Sequence, residues 1–147
     1  MKNPTEEMLQ YIYIRAKCGC ETINGLLPGI TDPALLRETT VQMEAYSSLG
    51  CRAQQLMREK DLPSADFSLI DRLAVRGGLI METMGTKEQP ALARILSRCV
   101  QDGAGQMQRA VAECGTVGCD PDVLALGQRM LAFETEGTER LALLNMQ

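Results

Sequence analysis

An all-α bundle is the fold this sequence predicts: two long helical hairpins joined by a short crossover helix, in one domain over residues 1–147. Three observations predict it. Prolines follow capping side chains at Asn3-Pro4, Asp32-Pro33 and Asp120-Pro121, where a helix start tolerates the missing N–H. Apolar residues recur at i, i+3, i+4 and i+7. No segment carries the period-two alternation of a strand.

The first helix, about residues 4–26, has Asn3 as cap, Pro4 at its first position and Glu6 placed to bond back to the cap. Its stripe is Leu9, Ile12, Ala16, Cys20, Ile23 and Leu27, and Leu27-Pro28-Gly29 stops it. The second, about 33–59, carries Leu35, Leu36, Thr39, Met43, Tyr46, Gly50, Ala53 and Met57, with a boundary at Lys60-Asp61-Leu62-Pro63-Ser64. The third, about 66–84, shows Phe67, Ile70, Leu73, Ala74, Gly77, Ile80, Met81 and Met84 before Gly85-Thr86-Lys87. The fourth, about 88–116, shows Leu92, Ile95, Leu96, Cys99, Gly103, Ala110 and Cys114. Gly115 to Gly118 supply its stop, and the fifth helix, about 121–145, shows Val123, Gly127, Met130, Glu134, Gly137, Leu141 and Leu144. A crossover helix of about 19 residues spans roughly 28 Å, most of a bundle's length. That makes helices two and four parallel, and likewise one and five.

Composition excludes several function classes. The chain has no histidine, so it lacks the commonest general base and metal ligand, and Ser-His or Cys-His catalysis is out. A formal charge of −4 with scattered Lys and Arg argues against nucleic acid. Arg76-Gly77-Gly78 is a single copy without neighbouring aromatics. No apolar run approaches the roughly 18 residues a membrane span needs, and Met1 to Glu7 carries acids where a signal peptide is apolar. A soluble cytoplasmic protein is expected. Neither Gly77-Gly78 nor Gly103-Ala104-Gly105 leads into the Gly-Lys-Ser/Thr of a phosphate loop.

Tyr11-Ile12-Tyr13 through Cys18, Glu44-Ala45-Tyr46, Leu92-Ala93-Arg94-Ile95-Leu96 leading to Gly103, and a final helix ending in acidic residues and leucines give the chain a familiar layout. It resembles the small ferritin-like four-helix-bundle proteins of Gram-positive anaerobes along nearly its whole length. Ferritin-like metalloproteins hold two metals with a Glu from each of two helices and a Glu-x-x-His from each of the others. This chain departs from that pattern: Ser47 follows Glu44 at the third position, and Gly137 follows Glu134.

Helical phase places Glu44 and Glu21 away from the core, with Glu113 borderline and Glu134 squarely within an apolar stripe. Glu113 and Glu134 differ by about 13 Å in level and cannot share a metal pair, so no metal and no catalytic residue is assigned. Partners for a buried Glu134 carboxylate are Thr39, Gln106, Arg109, a ligand or a neighbouring subunit. Cys18 and Cys20 point about 160° apart on a helix, with Cys20 expected inside and Cys18 at the periphery. Cys20 and Cys99 fall within roughly 6 Å in level on helices expected to lie diagonally, which makes Cys20, Cys99 and Glu134 the core-facing candidates for a soft ion or a redox event. Cys114 and Cys119 straddle a helix end and can approach each other or simply mark the turn; reduced thiols are expected for all six cysteines. Glycines within helices, together with nine methionines, suggest close helix approach and an adaptable surface, and a homodimer is expected. The sequence therefore predicts a non-enzymatic structural or interaction module without a cofactor. Its alternatives are a metal or thiol-redox protein using core Cys and Glu, and a carrier of a small apolar ligand.

Overall fold

The computed structural model describes residues 3–68, 71–75, 78 and 88–144. Four long helices dominate: α1 (Pro4–Leu26), α2 (Pro33–Glu59), α3 (Gln89–Val117) and α4 (Pro121–Leu143). Among the described residues there is no strand.

The caps explain the boundaries. Asn3 Oδ1 accepts from the Glu6 N–H at 2.7 Å, and Asp32 Oδ2 from the Leu35 N–H at 2.9 Å. Asp120 departs from this pattern, because its carboxylate turns outward to Lys60 Nζ at 2.9 Å, while its own N–H donates to Thr5 Oγ1. Gly118, at φ 84°, ends α3 in the left-handed conformation that only glycine adopts cheaply.

Neighbouring helices run antiparallel around a ring in the order α1, α2, α4, α3. Tyr46 packs on Gly19 and Ala16 on Gly50 between α1 and α2. Val111 meets Gly127 and Val100 meets Gly137 between α3 and α4. Tyr11 reaches Gln106 and Arg15 meets Gly103 between α1 and α3, and Glu38 holds Arg140 and Gln42 meets Gly137 between α2 and α4. In each pair the residue numbers rise on one helix as they fall on the other. The diagonal pair α1 and α4 is parallel, since Thr5 meets Asp120 and Arg15 meets Glu134; α2 and α3 are therefore parallel as well.

The connection between α2 and α3 consequently joins opposite ends of the bundle. The end of α2 lies at Asp120 through Lys60. The start of α3 is tied to the α1–α2 turn, where Gln89 accepts from the Thr31 and Asp32 N–H groups and donates to the Gly29 carbonyl. Within the connection, residues 71–75 are helical and residues 66–68 are not. This corrects the expected start at 66: Ser68 and Asp71 cap each other reciprocally, setting the helix start after Ser68. Phe67 is buried as expected, whereas Leu73 and Ala74 are exposed. Ile70, Arg76, Gly77, Ile80, Met81, Met84 and the Gly85-Thr86-Lys87 stop lie outside the described residues.

The core is a layered seam of Leu9, Ile12, Leu35, Leu56, Leu96, Met107 and Met130, all essentially inaccessible. Two stripes hold at most of the expected positions and depart from them at a few. On α2 the expected Leu35, Thr39, Tyr46, Gly50, Ala53 and Met57 are buried and are joined by Glu38, Gln42, Leu49 and Leu56, while Leu36 is exposed and Met43 half-buried. On α3, Val100 and Met107 are buried where Cys99 and Ala110 were expected. With Gln42, Leu49, Val100 and Met107 included, the centre lines of both stripes follow alternating steps of three and four, the spacing of helices that cross at a shallow angle.

Candidate functional site

Glu134 is buried on α4, as its helical phase predicts, with its side chain fully inaccessible. Its partners are Arg15 on α1 and Tyr46 on α2: Arg15 Nη2 donates to Glu134 Oε2 at 2.8 Å, and the Tyr46 hydroxyl donates to the same oxygen at 2.7 Å. The expected partners go elsewhere. Thr39 donates to the Leu35 carbonyl, Gln106 accepts from Tyr11, and Arg109 lines a groove on the outside.

Two glycines create the space for this cluster. A Cβ at Gly103 would collide with Arg15 Nη2 and Glu134 Oε2, and one at Gly19 would lie 2.6 Å from the Tyr46 ring. The edge of the ring pair formed by Tyr46 and Phe133, centroids 4.9 Å apart, closes another side. Burial pushes the Glu134 carboxyl above its ordinary pKa against the pull of Arg15 and the Tyr46 hydroxyl. Burial also works against the Arg15 charge, but Glu134 beside it prevails and holds the guanidinium more firmly protonated than usual. Tyr46 is driven well above the ordinary phenol range by burial and then by Glu134, so it acts as a permanent donor.

A second polar group lies further along the same interface, and the sequence reading missed it. Arg140 Nε donates to both oxygens of Glu38 at 3.0 and 2.9 Å, and Gln42 Nε2 donates to Glu38 Oε1 at 3.0 Å. The step of seven through Leu35, Gln42, Leu49 and Leu56 carries the signal for Gln42. The outward-phased row of Leu36 and Met43 obscured it.

The thiols are not gathered as expected. Helices α1 and α3 are neighbours and not diagonal, and their register puts Cys99 level with Cys18 and Thr22. Burial raises the Cys99 thiol pKa, against Arg15 and the Thr22 hydroxyl. Cys20 has Lys17, Cys51 and Glu21 around it, and it is only half-buried, like Cys18. Residues two apart on a helix face opposite ways, which sends Cys18 toward α3 and Cys20 toward α2. Cys114 and Cys119 form a disulfide with Cα atoms 5.3 Å apart, correcting the expectation that all six thiols are reduced. The pair closes the α3–α4 turn, with Gly118 and Cys119 both donating to the Cys114 carbonyl.

Beside that disulfide a groove of about 600 Å³ opens between α1 and α3. It is lined by both cystine residues, by Glu7, Tyr11, Arg109 and Glu113, and by an apolar floor at Met8 and Ala110.

A ferritin-type metal pair does not fit these residues. Glu134 Oε2 already accepts from a guanidinium and a phenol, Arg15 brings positive charge where an ion would sit, and Glu113 is exposed. Among the described residues no three of His, Cys, Asp and Glu converge. No described helix is long and apolar enough to cross a membrane. Comparison of the chain with protein-family models, with curated proteins and with solved structures finds no match.

Proposed function

We propose that this chain is a ferritin-like bundle that works without catalysis, as a structural or interaction module that pairs with itself in the cytoplasm. The observation that carries the reading is the Arg15 guanidinium on Glu134. In a bundle enzyme the inward carboxylates are held ready for ions; here one oxygen of the buried Glu134, Oε2, is taken by an internal cation and a phenol donor. The antiparallel ring with a connection between opposite ends supports the ferritin-like arrangement. The nine methionines and the glycines within helices support the self-pairing part of the reading.

The test is elemental analysis of protein purified without oxygen or chelators, together with its mass by analytical ultracentrifugation. Metal below a tenth of an equivalent and a dimer mass are the expected results. About one iron, manganese, zinc or copper per chain would overturn the first part of the reading, and a monomer at high concentration the second.

A further inference from the structure

The groove between α1 and α3 brings a disulfide and charged side chains together. Cys114 and Cys119 both line it, as do Glu7, Arg109 and Glu113, which form no ion pair among the described residues. An Arg fork suits a carboxylate, and a carboxylate suits an ammonium. The opening is large enough for a small molecule carrying both, with its body on Met8 and Ala110.

We propose that this groove binds a zwitterionic thiol, an amino-acid or short-peptide thiol, and exchanges it onto Cys119. Arg109 takes the carboxylate, and Glu7 or Glu113 the ammonium. Access selects the sulfur, since Cys119 is half-buried whereas Cys114 is 3% exposed. The incoming thiolate forms a bond to Cys119 Sγ as the Cys114–Cys119 bond breaks. The bonding pair leaves on Cys114 Sγ, which takes a proton from solvent. The thiol's sulfur is oxidised into a mixed disulfide and Cys114 is reduced, so no other oxidant is needed. Cys114 can attack back and expel the thiol, which makes the modification reversible.

The experiment uses the full oxidised chain and three probes: L-cysteine, 3-mercaptopropionate, which lacks the ammonium, and cysteamine, which lacks the carboxylate. Each reaction is quenched with an alkylating agent and mapped by peptide mass spectrometry. The expected product carries the thiol on Cys119 and the alkyl group on Cys114. Arg109→Ala should slow L-cysteine and 3-mercaptopropionate about tenfold, the worth of one charged hydrogen bond, and leave cysteamine unchanged. Equal slowing of all three thiols, an unchanged L-cysteine rate, an adduct on Cys114, or a disulfide that stays closed would each overturn the proposal.

Discussion

Arg15 and Glu134, 119 positions apart in sequence, form an ion pair at 2.8 Å between the diagonal helices α1 and α4, in space that Gly103 leaves open. The Glu134 side chain is fully inaccessible and that of Arg15 is 15% exposed. Water therefore does little to screen the pair, and each charge depends on the other for its solvation.

Removing one partner should accordingly cost far more than removing the whole cluster. Arg15→Met leaves a buried carboxylate with only the Tyr46 hydroxyl, and a loss of about 3–5 kcal/mol is expected. The triple variant Arg15→Met, Glu134→Leu, Tyr46→Phe takes away every charge and donor together and should recover most of that loss. Urea denaturation of the two proteins checks this; equal destabilisation would mean that the cavity, and not the stranded charge, sets the cost.

The same cluster makes a prediction about glycine. Gly105 meets nothing within 4 Å, so Gly105→Ala gains only the helix propensity of alanine and should stabilise by about 0.5–1 kcal/mol. Gly103, two residues away on the same helix, would put a methyl group into Arg15 and Glu134. Gly103→Ala should destabilise by about 2 kcal/mol or more despite the same propensity gain. Thermal melts of the two variants, differing in sign, are the check.

The boundaries of the four long helices were legible in the sequence because they depend on local chemistry, in which Asn3, Asp32 and Gly118 satisfy end groups within a few residues. Glu134 was legible too, since one carboxylate in an apolar row stands out. Its partner was readable in principle: Thr5, Met8, Ile12, Arg15, Gly19, Thr22 and Leu26 form one row in steps of three and four, with Arg15 at its centre. A charge and a glycine inside that row made the neighbouring row through Leu9 and Ala16 look like the whole face. Tyr46 as a donor was out of reach, because its hydroxyl meets Glu134 only once α2 and α4 are placed side by side. The disulfide depended on the αL turn at Gly118, which brings Cys119 back over the last turn of α3.

Acid should strengthen the contribution of Glu134. Its folded pKa is raised by burial, so between the unfolded value and the raised one the native protein holds more protons than the unfolded chain. Stability from this group then rises as pH falls through that window and is lost as pH rises above it. Gln at this position mimics the protonated acid and does not titrate. The stability of the wild type relative to Glu134→Gln should therefore improve from neutral pH down into the carboxylate range. A wild-type advantage that instead grows with rising pH would show that Arg15 outweighs burial and holds the carboxyl below its unfolded value.

The Cys114–Cys119 bond should stabilise only modestly, because it closes a very short loop, with five positions separating the cysteines. On the chain-entropy account, closing so few residues is worth about 2 kcal/mol, less than a bond spanning the bundle would give. The local structure already limits the freedom of that turn: Gly118 and Cys119 both donate to the Cys114 carbonyl. Reduction should therefore lower stability by about 2 kcal/mol or less and leave the four helices intact. Denaturation with and without a reductant, followed by circular dichroism, measures it. The variant Cys114→Ser, Cys119→Ser should match the reduced protein in stability, apart from the cost of a buried hydroxyl at position 114. Global unfolding on reduction would mean that the α3–α4 hairpin depends on the bond for its register, and that packing at Val111 and Gly127 is too weak to hold it.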